Sequence, residues 1–242
     1  MSKLYVIGIG PGGQEFMTLQ AMQALKESDV IIGYPVYTDL VKPIFPDKEY
    51  LSTPMKQEVE RCRMAVEAAC AGKTVAMISS GDAGVYGMAG PVLEEAEGKD
   101  VEVEVVAGVT AALSGGAVLG APLTHDFAVI SLSDLLTPWE KIEKRLDAAA
   151  AADFCIALYN PSSHKRADYL QKACDIMLRY KDPETICGTV RNIGREGQSC
   201  EIMTLQELRD TKVDMFTTVF IGNSQTKKLD GRMVTPRGYK HE

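Results

Sequence analysis

Apolar positions in the first half of the chain fall in short continuous runs, and stretches of helical period separate them. Leu4 to Ile9 is such a run, as expected of a strand covered on both faces, and it opens directly into Gly10-Pro11-Gly12-Gly13. Met17 to Lys26 then reads as a helix and Asp29 to Ile32 as a second strand. Tyr37 to Phe45 is a short helix interrupted at Pro43. Gln57 to Ala71 is amphipathic, with Val59, Cys62, Ala65, Val66 and Ala69 near one face, and Gly72 ends it. Thr74 to Ile78 is another apolar strand, followed by the turn Ser79-Ser80-Gly81-Asp82-Ala83-Gly84. A helix from Val85 to Glu97 is expected to bend or break at Pro91. Val101 to Val106 is the next strand, and Thr110 caps a helix after Ala107-Gly108-Val109.

This alternation predicts an α/β protein whose first sheet is parallel with helices on both faces. Ligands in such sheets bind beyond the carboxyl ends of the strands. Three glycine-bearing turns fall there, at 10–16, 79–84 and 107–110.

Gly120-Ala121-Pro122-Leu123 interrupts the pattern and reads as a linker, giving an N-terminal α/β domain over 1–119 and a C-terminal one over 120–242. Beyond it come a strand at Phe127 to Leu132 and a helix at Trp139 to Ala150, with Thr137 as N-cap and Pro138 at its first position. Phe154 to Tyr159 is a strand and His164 to Arg179 a helix. Thr185 to Val190 turns through Asn192–Gly197 into Ser199 to Met203, and Met215 to Gly222 reads as the last strand. Closely spaced strands predict a mixed second sheet.

The chain has 242 residues, 45% of them hydrophobic and 24% charged, which suits a globular protein with a sizeable core. Its net charge of −7 argues against a nucleic-acid partner. The 6 cysteines form no C-x-x-C, and buried reduced thiols in a cytoplasmic protein are expected, with no metal. No signal peptide is evident. Val105 to Thr124 runs 20 residues without a charge, the length of a membrane span. Its glycines, alanines and Pro122 instead suit a buried helix of small residues, and no membrane association is expected.

Gly8-Ile9-Gly10-Pro11-Gly12-Gly13 matches the dinucleotide fingerprint G-x-G-x-x-G. Two details oppose NAD. Pro11 has no N–H to give a pyrophosphate, and the second strand ends in Gly33-Tyr34 without the acid that holds a ribose. A turn rich in backbone acceptors suits a cationic sulfonium better.

Gly8-Ile-Gly-Pro-Gly12 with Met17-Thr18, Ser80-Gly81-Asp82, Gly108-Val109-Thr110-Ala111, Tyr159-Asn160-Pro161 and Val219 to Ser224 resemble the successive motifs of the tetrapyrrole (corrin/porphyrin) methylase family. Ala83 and Ala107 stand where proline is usual in that family. Ser79 to Gly90, the 15 residues His125 to Trp139, Arg191 to Gly197 and Thr235 to Tyr239 resemble its precorrin-3B and cobalt-factor III C17-methyltransferase branch. The resemblance implies two α/β domains with S-adenosylmethionine in the cleft between them, and S-adenosylhomocysteine as product. It implies methyl transfer to C17 of a corrin precursor with ring contraction, in cobalamin biosynthesis, by a homodimer. A methylase of another tetrapyrrole and a non-catalytic tetrapyrrole-binding protein are the alternatives.

By that resemblance Pro11, Ser80, Gly81, Asp82, Val85, Thr110, Ala111, Tyr159 and Thr189 stand at cofactor positions. Ring contraction needs proton transfer, for which Asp82, His125 and Ser131 are the catalytic candidates. Asp82 also reads as a helix cap, His125 as a linker residue bonding backbone, and Ser131 as a sheet hydroxyl. An anionic tetrapyrrole needs local cations, and Arg191, Arg195, Lys165, Arg166 and Arg237 are the nominees.

Overall fold

A computed structural model describes residues 3–163 and 166–239. The chain divides into two compact units, Met1–Ala111 and Ala112–Glu242.

In the first unit, β1 (Lys3–Gly8), β2 (Val30–Gly33), β3 (Glu49–Ser52), β4 (Val75–Ser79) and β5 (Glu102–Val106) form one sheet of order β3-β2-β4-β1-β5. Every pairing is parallel, as the sequence predicts. Alternate residues of β1 feed opposite layers. Leu4 and Val6 pack with Cys62, Ala65, Val66 and Ala69 of α3 (Glu58–Cys70) and with Ala89 and Val92 of α4 (Ala89–Ala96). Tyr5 and Ile7 pack with Ala21, Ala24 and Leu25 of α1 (Leu19–Glu27) and Val41 of α2 (Pro35–Val41). Leu4, Val6 and Ile7 are fully buried, each stabilising the unit by about 1.5–3 kcal/mol.

Several elements differ from expectation. Helix α1 starts at Leu19 because Thr18 caps it, its hydroxyl accepting the Ala21 amide at 3.1 Å. The second helix spans Pro35–Val41, so Pro43 lies beyond its end. Helix α4 begins at Ala89, which puts Pro91 in the first turn; there an N–H has no partner within the helix, and no break follows. On α3, Val59 faces solvent and Arg61 is buried instead. Strand β3 has no apolar run to announce it and lies half-exposed at the sheet edge.

The second unit holds α5 (Ala111–Leu119), whose first residue lies at the boundary, β6 (Gly120–Ala121), β7 (Phe127–Ser131), α6 (Trp139–Ala151), β8 (Cys155–Tyr159), α7 (Tyr169–Met177), β9 (Ile186–Arg191), β10 (Ser199–Thr204), α8 (Leu205–Asp210), β11 (Thr217–Ile221), β12 (Lys227–Leu229) and β13 (Arg232–Val234). Its main sheet has the order β10-β9-β11-β8-β7. β7 and β8 are parallel and the other pairs antiparallel, the mixed sheet expected. Gly115 lets α5 close on Ile193 and Phe220, since a Cβ there would stand 2.9 Å from each.

The expected linker contains β6, which pairs in parallel with β13. Met215 to Gly222 is not the last strand, because the β12–β13 hairpin follows. Helix α6 begins at Trp139 as expected, but its N-cap is Pro138, in extended conformation, and not Thr137. Helix α7 is shorter than the expected 164–179, of which His164 and Lys165 lie outside the described residues. All 6 cysteines are free; Cys62, Cys155, Cys174 and Cys187 are buried as expected, whereas Cys70 and Cys200 are exposed. No described helix is long and apolar enough to cross a membrane.

Candidate active site

Strands β4, β1 and β5 are neighbours and parallel, so the turns that follow them leave the same edge of the sheet. Gly10 and Gly81 join the first two turns by exchanging both backbone hydrogen bonds, N–H to O at 3.0 and 2.7 Å. Both glycines have left-handed φ, 74° and 69°, which an ordinary side chain disfavours. Gly8 and Gly108 let the backbones touch. A Cβ on Gly108 would stand 2.2 Å from the Gly81 carbonyl oxygen and 2.5 Å from that of Gly8.

Asp82 completes the junction. Its Oδ1 accepts the Gly84 amide and its Oδ2 the Gly108 amide, each at 2.8 Å. The side chain therefore clasps the turn after β4 to the turn after β5, rather than capping the helix, which begins only at Ala89. Thr18 adds a bond from its hydroxyl to the Ala107 carbonyl at 3.3 Å. Thr110 Cα and the Ala111 amide nitrogen lie 3.5 and 3.7 Å from where a Gly81 Cβ would stand. Pro11 is buried, Ser80 and Val85 are half-buried, and the Val85 amide closes a turn onto the Asp82 carbonyl at 3.4 Å.

Five amide protons of this junction are spent internally. Ile9 donates to Ser79, Gly10 to Gly81, Gly81 to Gly10, and Gly84 and Gly108 to Asp82. Pro11 has none to give. Helix α1 starts only at Leu19, and its N-terminus is occupied by Thr18. A pyrophosphate loop works by aiming open N–H groups and a helix N-terminus at the anion; here the Gly10 amide is spent, Pro11 has no N–H, and the α1 N-terminus is capped. Carbonyl oxygens carry a second lone pair each, and the junction is rich in them.

In the second unit, the register sets Ser131 opposite Tyr159, and Leu158, Val219 and Thr189 in one row. The carboxyl ends of β7, β8 and β9 therefore share one edge, with Ser131, Tyr159 and Arg191 upon it and Thr189 buried two residues inside. Ser131 Oγ accepts from Asn160 Nδ2 at 3.0 Å and from the Ser133 amide at 3.2 Å. The Tyr159 hydroxyl accepts the Ala112 amide at 2.7 Å in the first turn of α5. Asn160 and Asn192, each just past its strand, are both left-handed, with φ of 52°.

His125 is elsewhere. It precedes β7 while Ser131 ends it, and at about 3.3 Å per residue the strand sets them roughly 20 Å apart. Its Nδ1 accepts the Asp126 amide at 3.1 Å, and its side chain is 50% exposed. His125 and Ser131, two of the three nominated proton carriers, therefore do not meet. Arg237, exposed, follows Thr235, whose hydroxyl lies 3.5 Å from Cys155 Sγ where β8 begins. That too is the edge opposite Tyr159.

The nominated cations divide further. Arg191 Nε is 2.7 Å from Asp214 Oδ2. Burial pushes the Asp214 carboxyl up, but Arg191, Thr217 and the Phe216 amide outweigh it and hold it below its ordinary value. Arg166 is largely covered and bonds Asp134 at 3.2 Å, Ser133 at 2.8 Å and Ser163 at 3.0 Å, so it braces the loop after β7. Arg195 is half-buried in the turn after β9, and Lys165 lies outside the described residues. The cation that sequence reasoning missed is Arg61, which is 4% exposed. Its helix pattern put Val59 inside and gave no sign of it. No cluster of His, Cys, Asp and Glu able to hold a metal occurs among the described residues.

A parallel α/β unit with an acceptor-rich glycine junction at its carboxyl edge, followed by a mixed-sheet unit, is the architecture of a tetrapyrrole methylase. The model of the Tetrapyrrole (Corrin/Porphyrin) Methylases matches residues 3–209, and the chain belongs to that family. A probable cobalt-factor III C(17)-methyltransferase of Salmonella typhimurium is 49% identical over 238 residues, 98% of this chain and 99% of its own length. The precorrin-3B C(17)-methyltransferase of Sinorhizobium sp is 39% identical over 246 residues, covering 98% of this chain and 96% of that protein. The crystal structure of the methyltransferase CobJ superposes with a TM-score of 0.88 at 34% identity, over 98% of this chain and all of its own.

Proposed function

We propose that this protein transfers a methyl group from S-adenosylmethionine to C17 of precorrin-3B or cobalt-factor III and contracts the macrocycle, in corrin ring biosynthesis. The observation that carries the reading is the junction of Gly10, Gly81, Asp82 and Gly108, in which the Gly10, Gly81 and Gly108 amide protons are consumed internally while the carbonyl oxygens retain lone pairs. Full-length likeness to C17-methyltransferases of both substrate types supports the acceptor.

The cofactor fits the residues present. The glycines bring the three turns into contact at one sheet edge, and an acceptor-rich wall suits a positive sulfur. Pro11, Ser80, Gly81, Asp82, Val85, Thr110 and Ala111 of the first unit are the residues that would hold it. When bound, S-adenosylmethionine supplies an electrophilic methyl group, with no metal and no covalent enzyme intermediate required. The chain's own task is then orientation and exclusion of water, and orientation of this kind is worth roughly 7–11 kcal/mol of barrier. The Asp82 clasp and the Gly10–Gly81 bridge fix the wall before ligand arrives. For ring contraction, Ser131 Oγ receives two N–H bonds, which favour release of its proton.

The test is incubation of the purified chain with methyl-labelled S-adenosylmethionine and either macrocycle. Label on C17 of a ring-contracted product is expected. Pigment binding without any dependence on the methyl donor would contradict the reading.

A further inference from the structure

Arg61 is a cation buried without an anion. It is 4% exposed, and no carboxylate among the described residues lies within ion-pair distance. Its Nη2 donates to the carbonyls of Thr53 and Pro54 at 3.1 and 3.2 Å. Its Nε is buried and has no partner among the described residues. The Tyr34 ring centroid lies 5.9 Å from the guanidinium carbon. The residue also sits near the N-terminal end of α3, where the helix dipole disfavours positive charge.

Of these contacts only the Tyr34 ring favours a charge. Two neutral carbonyls take hydrogen bonds equally well from a neutral amide, and burying an uncompensated cation is costly. Its place in the fold supplies a reason. Tyr34 follows β2 and Thr53 follows β3, so the guanidinium lies at the same carboxyl edge as the glycine junction. One strand, β4, separates β2 from β1. At about 4.8 Å per strand the two turns are roughly 10 Å apart, near enough for one macrocyclic ligand to reach both.

We propose that Arg61 binds a side-chain carboxylate of the tetrapyrrole, the carboxylate displacing the Thr53 and Pro54 carbonyls from the guanidinium and engaging Nε. This rests on the methyl-transfer reading and adds to it a substrate contact in the first unit. It also answers how a chain of net charge −7 attracts a polyanion: the neutralising cation is stored under the β3 turn.

The experiment uses the full chain with Arg61→Met and Arg61→Lys. Calorimetry measures binding of a porphyrin polycarboxylate, of its carboxyamide, and of S-adenosylhomocysteine; kinetics measure KM and kcat for the macrocycle. Arg61→Met is expected to weaken polycarboxylate binding and raise KM by about 10- to 100-fold, the range of one charge-assisted bond. S-adenosylhomocysteine affinity stays unchanged, and Arg61→Lys restores part of the loss. The carboxyamide should bind wild type and Arg61→Met alike. Unchanged KM in a folded Arg61→Met, or a loss confined to S-adenosylhomocysteine, overturns the proposal. Should Arg61→Met fail to fold, wild type binding the carboxyamide as tightly as the polycarboxylate overturns it equally. A wild-type protein that transfers no methyl group to either corrin precursor refutes the methyl-transfer reading itself, a separate outcome.

Discussion

Asp82 Oδ2 accepts the Gly108 amide across 2.8 Å and so ties the turn after β4 to the turn after β5. Because Oδ1 holds Gly84, both carboxylate oxygens face N–H donors. In Asp82→Asn one of them becomes an NH₂ group facing a donor. Leaving that amide unsatisfied costs about 1–3 kcal/mol. A lower melting temperature and an S-adenosylhomocysteine affinity weaker by about tenfold or more are expected, read by calorimetry and thermal melts. An unaltered affinity would show that the clasp does not shape the site.

The glycines of the junction should differ from those elsewhere. In Gly108→Ala the new methyl meets two backbone oxygens, neither able to swing aside. Cofactor binding should be lost, with the two turns driven apart. Gly81→Ala has space, its nearest atom being at 3.5 Å, but carries a left-handed φ, which costs about 1–2 kcal/mol. Gly90→Ala, with nothing within 4 Å, should be neutral or stabilising by up to about 1 kcal/mol. Melting temperatures and S-adenosylhomocysteine titrations of the three variants check this order.

Acid should act through Asp153. Burial pushes its carboxyl up, but the Ser224 hydroxyl and amide, with Lys181, outweigh this and hold it below its ordinary 3.8. A lowered folded pKa stabilises the native state above the unfolded value, and that stability fades as pH falls through the folded pKa. Asp153→Asn should therefore melt earlier than wild type near neutral pH. The gap should close below about pH 4. Melting temperatures across that range decide, and a gap independent of pH would contradict the linkage.

Ser131 and His125 stand at opposite ends of β7. They cannot serve the same reacting atom. Ser131 shares its edge with Tyr159, so Ser131→Ala should lower kcat by about 10²-fold or more. His125→Ala should leave kcat within about twofold, since its half-exposed ring contacts its neighbour Asp126, through the amide at 3.1 Å and the carboxylate at 3.7 Å. Single-turnover rates with both variants separate the two. The reverse outcome would move the proton chemistry to the other edge.

Much of this was legible in the chain because the buried strands are apolar on both faces. Leu4–Ile9 and Thr74–Ile78 announce themselves, and each runs into glycines whose turns do meet. What stayed hidden lacked a local signal. Strand β3 is a half-exposed edge strand, α8 (Leu205–Asp210) spans a few polar residues held by a capping box at Thr204, and the β12–β13 hairpin is mostly exposed. Pro91 looked like a breaker because the helix start could not be seen. The site followed the same rule. Spacing brought the three turns together, but pairing between distant residues, such as Arg191 with Asp214 and Arg166 with Asp134, consumed cations that looked available. Arg61, set in a helix pattern that turned its apolar neighbour outward, showed its burial only in the fold.

Calorimetric titration of the full chain with S-adenosylhomocysteine and, separately, with NADH tests the acceptor-lined junction most directly. Saturable binding of S-adenosylhomocysteine, abolished in Gly108→Ala, and no heat from NADH are the results predicted. NADH bound at one site while S-adenosylhomocysteine gives no signal would contradict it.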